Sequence, residues 1–361
     1  MSTVHNFNAG PAVLPPPVLE RVQHELLDYG GTGMSIMEMS HRSKEYEAIN
    51  AEAEARLKRL LGLGNEYRVL FMQGGASTQF ALVPLNFLRP EHTADYLISG
   101  SWGEKAIDEA HRLGQARIAA TTHADQFRRV PEQHEIELSE TAAYVHLTSN
   151  ETIGGVQWHT YPDVGDRPLV ADMSSDILSR PIDASRFSLI YAGAQKNLGP
   201  SGVTAVVISQ GFLETARTDA PTMLRYATYA KNNSLYNTPP TFGVYMLNLV
   251  LEWIEQLGGA AAMGERNAQK AQTVYEAIDR SGGFYRGHAD LNSRSQMNVT
   301  FRLPSEALEK QFVSEAKAAE MIGLGGHRSV GGIRASLYNA LGVESCQVLA
   351  QFMAEFARRN G

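Results

Sequence analysis

The sequence predicts an α/β fold: a mostly parallel seven-stranded sheet flanked by helices in a large domain, followed by a smaller α+β domain. Three observations carry that expectation. Short apolar runs alternate with stretches of helical period from Arg68 to Ser209. Several of these runs break into small or polar residues, as strands do at the carboxyl edge of an α/β sheet. Beyond Gly258-Gly259 the pattern changes to long helices separated by a few short strands.

Taken in order, residues 3–14 read as an irregular arm that turns at Asn8-Ala9-Gly10-Pro11. A helix is expected next, with Leu19, Val22, Leu26 and Leu27 on one face. Gly30–Gly33 is a loop, and the three methionines between Met34 and Arg42 read as packing. A second helix runs from about Ser43 to Leu61, with Ser43 as its cap and Tyr46, Ile49, Ala53, Leu57 and Leu60 at helical spacing.

Strands are expected at Arg68–Met72, Ala94–Ser99, Ala116–Ala120, Ala143–Thr148, Leu169–Asp172, Leu189–Ala194 and Val203–Ser209, with helices at Ser77–Leu88 and Gly103–Leu113. The amphipathic run Thr241–Leu257, striped by Phe242, Tyr245, Leu249, Trp253 and Leu257, stops at Gly258-Gly259. Thereafter come a helix (Ala260–Arg280), two strands (Gly283–Arg286 and Met297–Leu303) and a helix (Ser305–Met321). A Gly-rich loop, a strand (Arg334–Tyr338) and a terminal helix bearing Val343, Leu349, Phe352, Met353 and Phe356 complete the chain. The expected organisation is an arm at 1–15, a large domain at 16–258 and a small domain at 259–361.

Composition narrows the function classes. A formal net charge of −7 over 361 residues argues against non-specific nucleic-acid binding. The single cysteine, Cys346, excludes an intramolecular disulfide and suits a reducing compartment. Met1-Ser2-Thr3-Val4-His5-Asn6 lacks the basic and apolar regions of a signal peptide. No apolar run approaches the roughly 20 residues of a membrane span. The expectation is a cytoplasmic protein with no membrane partner and no metal site.

The strand ends carry the chemistry. After Arg68–Met72 comes Gln73-Gly74-Gly75-Ala76-Ser77-Thr78, where glycines and small hydroxyl residues open a helix and leave free N–H groups for a phosphate. It is neither a dinucleotide G-x-G-x-x-G fingerprint nor a Walker loop. After Ala94–Ser99 comes Gly100-Ser101-Trp102-Gly103, an aromatic plate among small residues. Ala143–Thr148 leads into the polar loop Ser149-Asn150-Glu151-Thr152, and Pro168–Ala171 ends in Asp172. The run Leu189–Ala194 ends in Gln195-Lys196-Asn197 beside Gly199-Pro200, and an ammonium placed there is costly unless it has a partner or a task. Each signal alone has a bland reading: a Gly turn with Ser77 as an N-cap, a core Trp, a solvated loop lysine. Their joint arrival at one sheet edge suits pyridoxal phosphate, which needs an amine for its aldehyde, an acid for its pyridine nitrogen, a stacking ring and a phosphate cradle.

Six stretches together resemble the phosphoserine aminotransferase family, class V aminotransferases of fold type I. They are Asn6–Pro11, Met37–Arg42, Ser149–Thr152, Tyr191–Asn197, Tyr236–Pro240 and Gly326–Ser336, spread from the arm to the approach of the last helix. The resemblance implies a homodimer with shared active sites. It also implies reversible transfer of an amino group from O-phospho-L-serine to 2-oxoglutarate, giving 3-phosphohydroxypyruvate and L-glutamate in serine biosynthesis. Some relatives also act on 4-phosphohydroxythreonine in pyridoxine biosynthesis.

Carried over, Lys196 matches the lysine that links to the cofactor, Asp172 the partner of the pyridine nitrogen, Trp102 the stacking ring and Thr152 the hydroxyl near the phenolic oxygen. Ala76, Ser77 and Gln195 match phosphate contacts, and Asn237 and Thr238 match phosphate contacts from the neighbouring subunit. Some relatives have Gly-Arg where this chain has Ala76-Ser77, so no extra guanidinium is expected there. Arg334 resembles the α-carboxylate clamp; His41, Arg42, His327 and Arg328 resemble the set that holds the side-chain phosphate or distal carboxylate. The alternatives are another class V enzyme, such as a small-amino-acid aminotransferase or a cysteine desulfurase, a nucleotide-dependent oxidoreductase, and a non-catalytic α/β binding protein. A desulfurase needs a mobile nucleophilic thiol, whereas Cys346 falls among the apolar positions of the terminal helix. The oxidoreductase lacks its glycine fingerprint, and a binding protein has no reason for a lysine at a strand end opposite an acid.

Overall fold

A computed structural model describes residues 4–361 of the chain; residues 1–3 of the expected arm lie outside the described residues. Seven strands form the central sheet: β1 (Tyr67–Met72), β2 (Thr93–Ile98), β3 (Gln115–Thr121), β4 (Ala142–Thr148), β5 (Leu169–Asp172), β6 (Leu189–Gly193) and β7 (Thr204–Ser209). Their spatial order is β1-β7-β6-β5-β4-β2-β3. The pairs from β6 to β3 are parallel, while β7 pairs antiparallel with both β6 and β1. The direction of β7 follows from chain length. A parallel return needs a crossover of a dozen or more residues, and residues 194–203 hold only a tight turn.

Both faces of the sheet are buried, so strand residues alternate between two apolar clusters. Val69, Phe71, Val145, Leu147, Ile190 and Val207 face one cluster, together with helices α1 (Pro16–Glu25), α2 (Lys44–Leu61) and, further along the chain, Leu247 and Leu251. Leu70, Met72, Tyr96, Tyr144, Tyr191 and Val206 face the other, which is covered by α3 (Gly75–Phe87) and α4 (Ser101–His111). The expected start of α2 holds, since the Ser43 hydroxyl accepts the Tyr46 N–H; its end is Gly62 at φ 69.

The short helices α5 (Gln210–Glu214) and α6 (Tyr226–Lys231) lead to α7 (Thr241–Gln256), which packs on α2. From Gly243 to Leu251 the residues of α7 are all buried, so the stripe read from the sequence is only part of its buried surface. Next, α8 (Gly259–Asp279) bridges two cores: Met263 packs in the first cluster, whereas Ala271, Val274 and Ile278 join a third. That third cluster contains the three-stranded sheet β8 (Arg286–Gly287), β9 (Asn298–Arg302) and β10 (Ile333–Ser336), with α9 (Glu306–Ala318) and α10 (Val343–Asn360).

Three expectations change. Helix α1 ends at Glu25, and Leu19 and Leu27 are exposed, leaving Val18 and Val22 as its buried residues. The first strand after α8 is Arg286–Gly287, displaced from the expected Gly283–Arg286. The arm is not wholly irregular: His5–Asn6 pairs in parallel with Met321–Ile322, and Phe7 is fully buried in the third cluster. Among the described residues, no helix is long and apolar enough to cross a membrane.

Candidate active site

Strands β4, β5 and β6 end side by side, with Thr148 in register with Asp172, and Asp172 in register with Tyr191. Sheet geometry thus brings three sequence-distant segments to one edge. A cleft of about 380 Å³ opens there. It is lined by Gly74, Gly75, Ala76, Ser77, Trp102, Thr152, Asp172, Gln195 and Lys196 around the sheet edge, by His327 and Arg334 from β10 and the loop before it, and by Ala9 and Gly10 near the start of the chain.

Lys196 stands in the turn between β6 and β7. Its Nζ donates to Thr152 Oγ1 at 2.9 Å and lies 5.8 Å from the centre of the Trp102 ring. Burial lowers its pKa, the nearby Asp172 carboxylate opposes that shift, and the Arg334 charge adds to it. Asp172 is buried, with one oxygen accepting the Ser174 N–H at 2.9 Å. Burial raises its pKa, while bonds from Ser174 and the charge of Lys196 hold it down. The acid and the amine therefore face a common space.

The phosphate cradle is the start of α3. Gly74 is at φ 91, and a Cβ there would stand 2.0 Å from Thr78 Oγ1, so the turn requires glycine. No side chain caps the helix and its first turn carries no acid, which leaves its N–H groups to an anion. The arm closes the opposite side. Ala12 N–H donates to Gln195 O at 2.9 Å, the Tyr338 hydroxyl donates to Ala9 O at 2.9 Å, and a Cβ on Gly10 would be 3.4 Å from Lys196 Cγ.

Arg334 sits on β10 at the cleft mouth. One guanidinium nitrogen donates to Thr152 O at 3.5 Å, its Nε is buried without a partner, and among the described residues no carboxylate pairs with it. By contrast, Arg302 on the neighbouring strand is paired with Glu309 at 2.6 Å. His327 stands beside Arg334; burial, with the charges of Arg334, Lys105 and Arg328, lowers its pKa.

Five expected residues are not brought into this cleft. Arg328 lines a separate groove beside Arg302 and Lys310. Arg42 Nε donates to His41 Nε2 at 3.3 Å, and Arg42 borders another groove with Glu47, Glu54 and Arg68. Asn237 and Thr238 are exposed in the segment after α6. In the other direction, sequence reasoning missed Ala9 and Gly10 as lining residues, Ser174 as the partner of Asp172, and the buried Glu151. The Glu151 carboxylate accepts the Trp102 N–H at 3.0 Å and the Gly103 N–H at 2.8 Å, and burial pushes its pKa up to about 7. The readable signal for Glu151 was Gly100, a glycine with no turn to make: a Cβ there would come within 2.5 Å of the Glu151 carboxyl carbon.

Residues 4–349 match the family model for aminotransferase class V. The chain belongs to the class V aminotransferases. As a class V aminotransferase it is 63% identical over 359 residues to the phosphoserine aminotransferase of Herpetosiphon aurantiacus, covering 99% of this chain and all of that one. It is 53% identical over 360 residues to the phosphoserine aminotransferase of Bacillus subtilis, with both chains fully covered. Among solved structures, the phosphoserine aminotransferase from Bacillus circulans subsp. alkalophilus superposes with a TM-score of 0.98 at 57% identity over the whole of both chains. A pyridoxal-phosphate-bound phosphoserine aminotransferase from Trichomonas vaginalis superposes at 0.92 with 40% identity, covering 97% of this chain and 99% of that one.

The cofactor of this class V aminotransferase is pyridoxal phosphate, and the cleft fits it on its own terms. The uncapped start of α3 suits a phosphate. A buried carboxylate and a lysine amine face one space, and the buried Thr148 Oγ1 and Trp102 Nε1 have no protein partner at its edge.

Proposed function

We propose that this chain is a phosphoserine aminotransferase, moving an amino group reversibly between O-phospho-L-serine and 2-oxoglutarate to give 3-phosphohydroxypyruvate and L-glutamate. The observation that carries this reading is the convergence of Lys196, Asp172 and the ion-pair-free Arg334 on one cleft. The names of the full-length relatives support the substrate.

Bound in the cleft, pyridoxal phosphate supplies an electron sink for the pair left when the substrate Cα loses its proton. Lys196 would hold it by the aldehyde carbon, Asp172 would meet the pyridine nitrogen, Trp102 would cover one ring face and Thr152 would lie near the phenolic oxygen. The helix α3 start with Ala76 and Ser77, and Gln195, would take the phosphate. A protonated ring nitrogen would give the buried Asp172 the counter-charge that burial demands. Lys196 would also be the base for the substrate Cα proton. Its lowered pKa leaves more free base near neutrality than an ordinary lysine has. Arg334 binds the α-carboxylate with a fork that no acid among the described residues occupies.

The side-chain phosphate, or the distal carboxylate of glutamate, falls to His327, Arg328, His41 and Arg42. The last two, with Asn237 and Thr238, would act across a homodimer interface. The exposure of Arg42, Asn237 and Thr238, and the position of all four outside this chain's own cleft, support that reading, as do the exposed Leu19, Leu27, Met34, Met37 and Tyr236 on neighbouring segments. The large and small domains meet at this cleft, with their division near Gly258, and the setting is the cytoplasm.

The test is a coupled assay of phosphoserine with 2-oxoglutarate, run against aspartate and alanine as donors. Preference for phosphoserine is expected. Equal turnover of all three donors overturns the substrate assignment while leaving the aminotransferase chemistry intact.

A further inference from the structure

Glu151 has no part in the chemistry assigned to Lys196, Asp172 and Arg334, yet it is buried within one residue of Thr152. Its two oxygens are used in a fork: one accepts the Trp102 N–H at 3.0 Å and the other the Gly103 N–H at 2.8 Å. These are first-turn donors of α4, a helix of 11 residues that has no side-chain cap of its own because its N-cap is Gly100. Gly100 in turn leaves room for the carboxylate, since any Cβ there would strike it.

We propose that Glu151 is a positioning residue whose carboxylate, clamped on the Trp102 and Gly103 N–H groups, holds the Trp102 ring over the cleft. This rests on the reading of Trp102 as the ring that covers the cofactor.

Three further features fit that role. The positive start of α4 favours a carboxylate over a neutral group and offsets part of the cost of burying it. The fork needs two acceptors. A glutamine amide has one oxygen, and its NH₂ would face a donor N–H. On the other side of the clamp, Trp102 packs tilted on Phe80 at 6.4 Å between ring centres, and Lys105 Nζ lies 4.2 Å from the Trp102 ring centre. The backbone clamp and the ring contacts together fix the plate from both ends.

The experiment is a double-mutant cycle of Glu151→Gln with Trp102→Phe. The Trp102 contribution to apoprotein fluorescence is isolated as the difference between each protein and its Trp102→Phe counterpart. Glu151→Gln is expected to shift that emission to longer wavelength and to make it more readily quenched by acrylamide. In the holoenzyme it is expected to lower kcat about tenfold, the factor that one hydrogen bond to a charged group supports, with a smaller change in KM for phosphoserine. In the Trp102→Phe background, the same change should cost less than about twofold, because its route to the cleft is already cut.

An unchanged Trp102 emission, or an equal kcat loss in both backgrounds, overturns the proposal. Should Glu151→Gln not fold, Glu151→Asp carries the same test: it draws the carboxylate back by one methylene and should show the same red shift with a smaller kcat loss. An Asp variant with unaltered emission overturns the proposal as well. The fluorescence arm needs no substrate, so it fails or succeeds independently of the donor comparison that tests the substrate assignment.

Discussion

The cleft has a floor and a rim, and they are built differently. The floor consists of Asp172, Thr152 and Lys196, set by the ends of β4, β5 and β6 and held by strand register and hydrogen bonds of 2.9 Å. The rim consists of Arg and His side chains on loops and one edge strand: Arg334 and His327 at the cleft, and Arg328, His41 and Arg42 outside it altogether. The floor must hold reacting atoms to within fractions of an ångström, and sheet edges do that. The rim has only to recognise anions, which long flexible side chains do well, even across a subunit boundary. The difference teaches that strand ends fix the reacting groups, while anion recognition is left to side chains on loops and one edge strand.

The sharpest way to break this division is to remove the floor's amine. Lys196→Ala is expected to lose turnover by at least about 10³-fold, because both the covalent anchor and the base go with one side chain. The visible absorption that the wild type gains on addition of pyridoxal phosphate should be missing too. A variant that still develops a borohydride-bleachable band would place the reacting amine elsewhere. Next in size is Arg334→Ala. Loss of a charge-assisted fork should reduce kcat/KM about 10²-fold in both half-reactions, since both substrates carry an α-carboxylate. A loss confined to phosphoserine would move Arg334 from the α-carboxylate to the phosphate.

The boundary between floor and rim is itself testable. Lys196→Ala and Arg42→Ala are each expected to be poorly active alone. After subunit exchange, half the dimers are mixed, and each mixed dimer holds one site with both residues intact, so about a quarter of wild-type activity should return. No recovery, with mixed dimers present on native mass spectrometry, would assign Arg42 to its own chain's cleft.

Much of the floor was legible in the sequence because strand ends are local events. Leu169–Asp172 and the run from Leu189 end where the apolar pattern breaks, and Asp172 at the one end and Lys196 just past the other both line the cleft. The sense of β7 was also within reach, since residues 194–203 are too few for a crossover helix. Other features depend on partners far away in the chain. Nothing near His5–Asn6 announces a strand, because its hydrogen-bonding edge is Met321–Ile322. Leu27 continues the apolar face of α1 by spacing, yet the helix stops before it and leaves it in solvent. Glu151 reads as one more polar loop residue until α4 is laid against it. The rim residues were named by resemblance, and of these the chain brings Arg334 and His327 to the cleft but not Arg328, His41 or Arg42.

Lys270 extends the comparison to a charge that serves structure only, and here the expected effect is smallest. It is 1% exposed, and its Nζ donates to Leu337 O and Tyr338 O at 2.8 Å each, just beyond the strand that carries Arg334. Burial pushes its pKa down from 10.5 to about 7. Below that value the folded and unfolded chains are both protonated there, and the cost of burying the ammonium is fully present. As pH rises, the folded chain sheds the proton while the unfolded chain keeps it up to about 10.5, so stability climbs across that window. A neutral amine still has two N–H groups for the two carbonyls. The stability advantage of wild type over Lys270→Met should therefore widen by on the order of 2 kcal/mol between about pH 7 and pH 9, read as a few degrees in apparent Tm. That range stays at or below the ordinary titration of Cys346, which the same burial raises to about 12. A gap that stays constant over the range would mean that Lys270 keeps its proton in the folded chain, and that the two carbonyls alone hold an ammonium as firmly as Asp172 and the sheet edge hold Lys196.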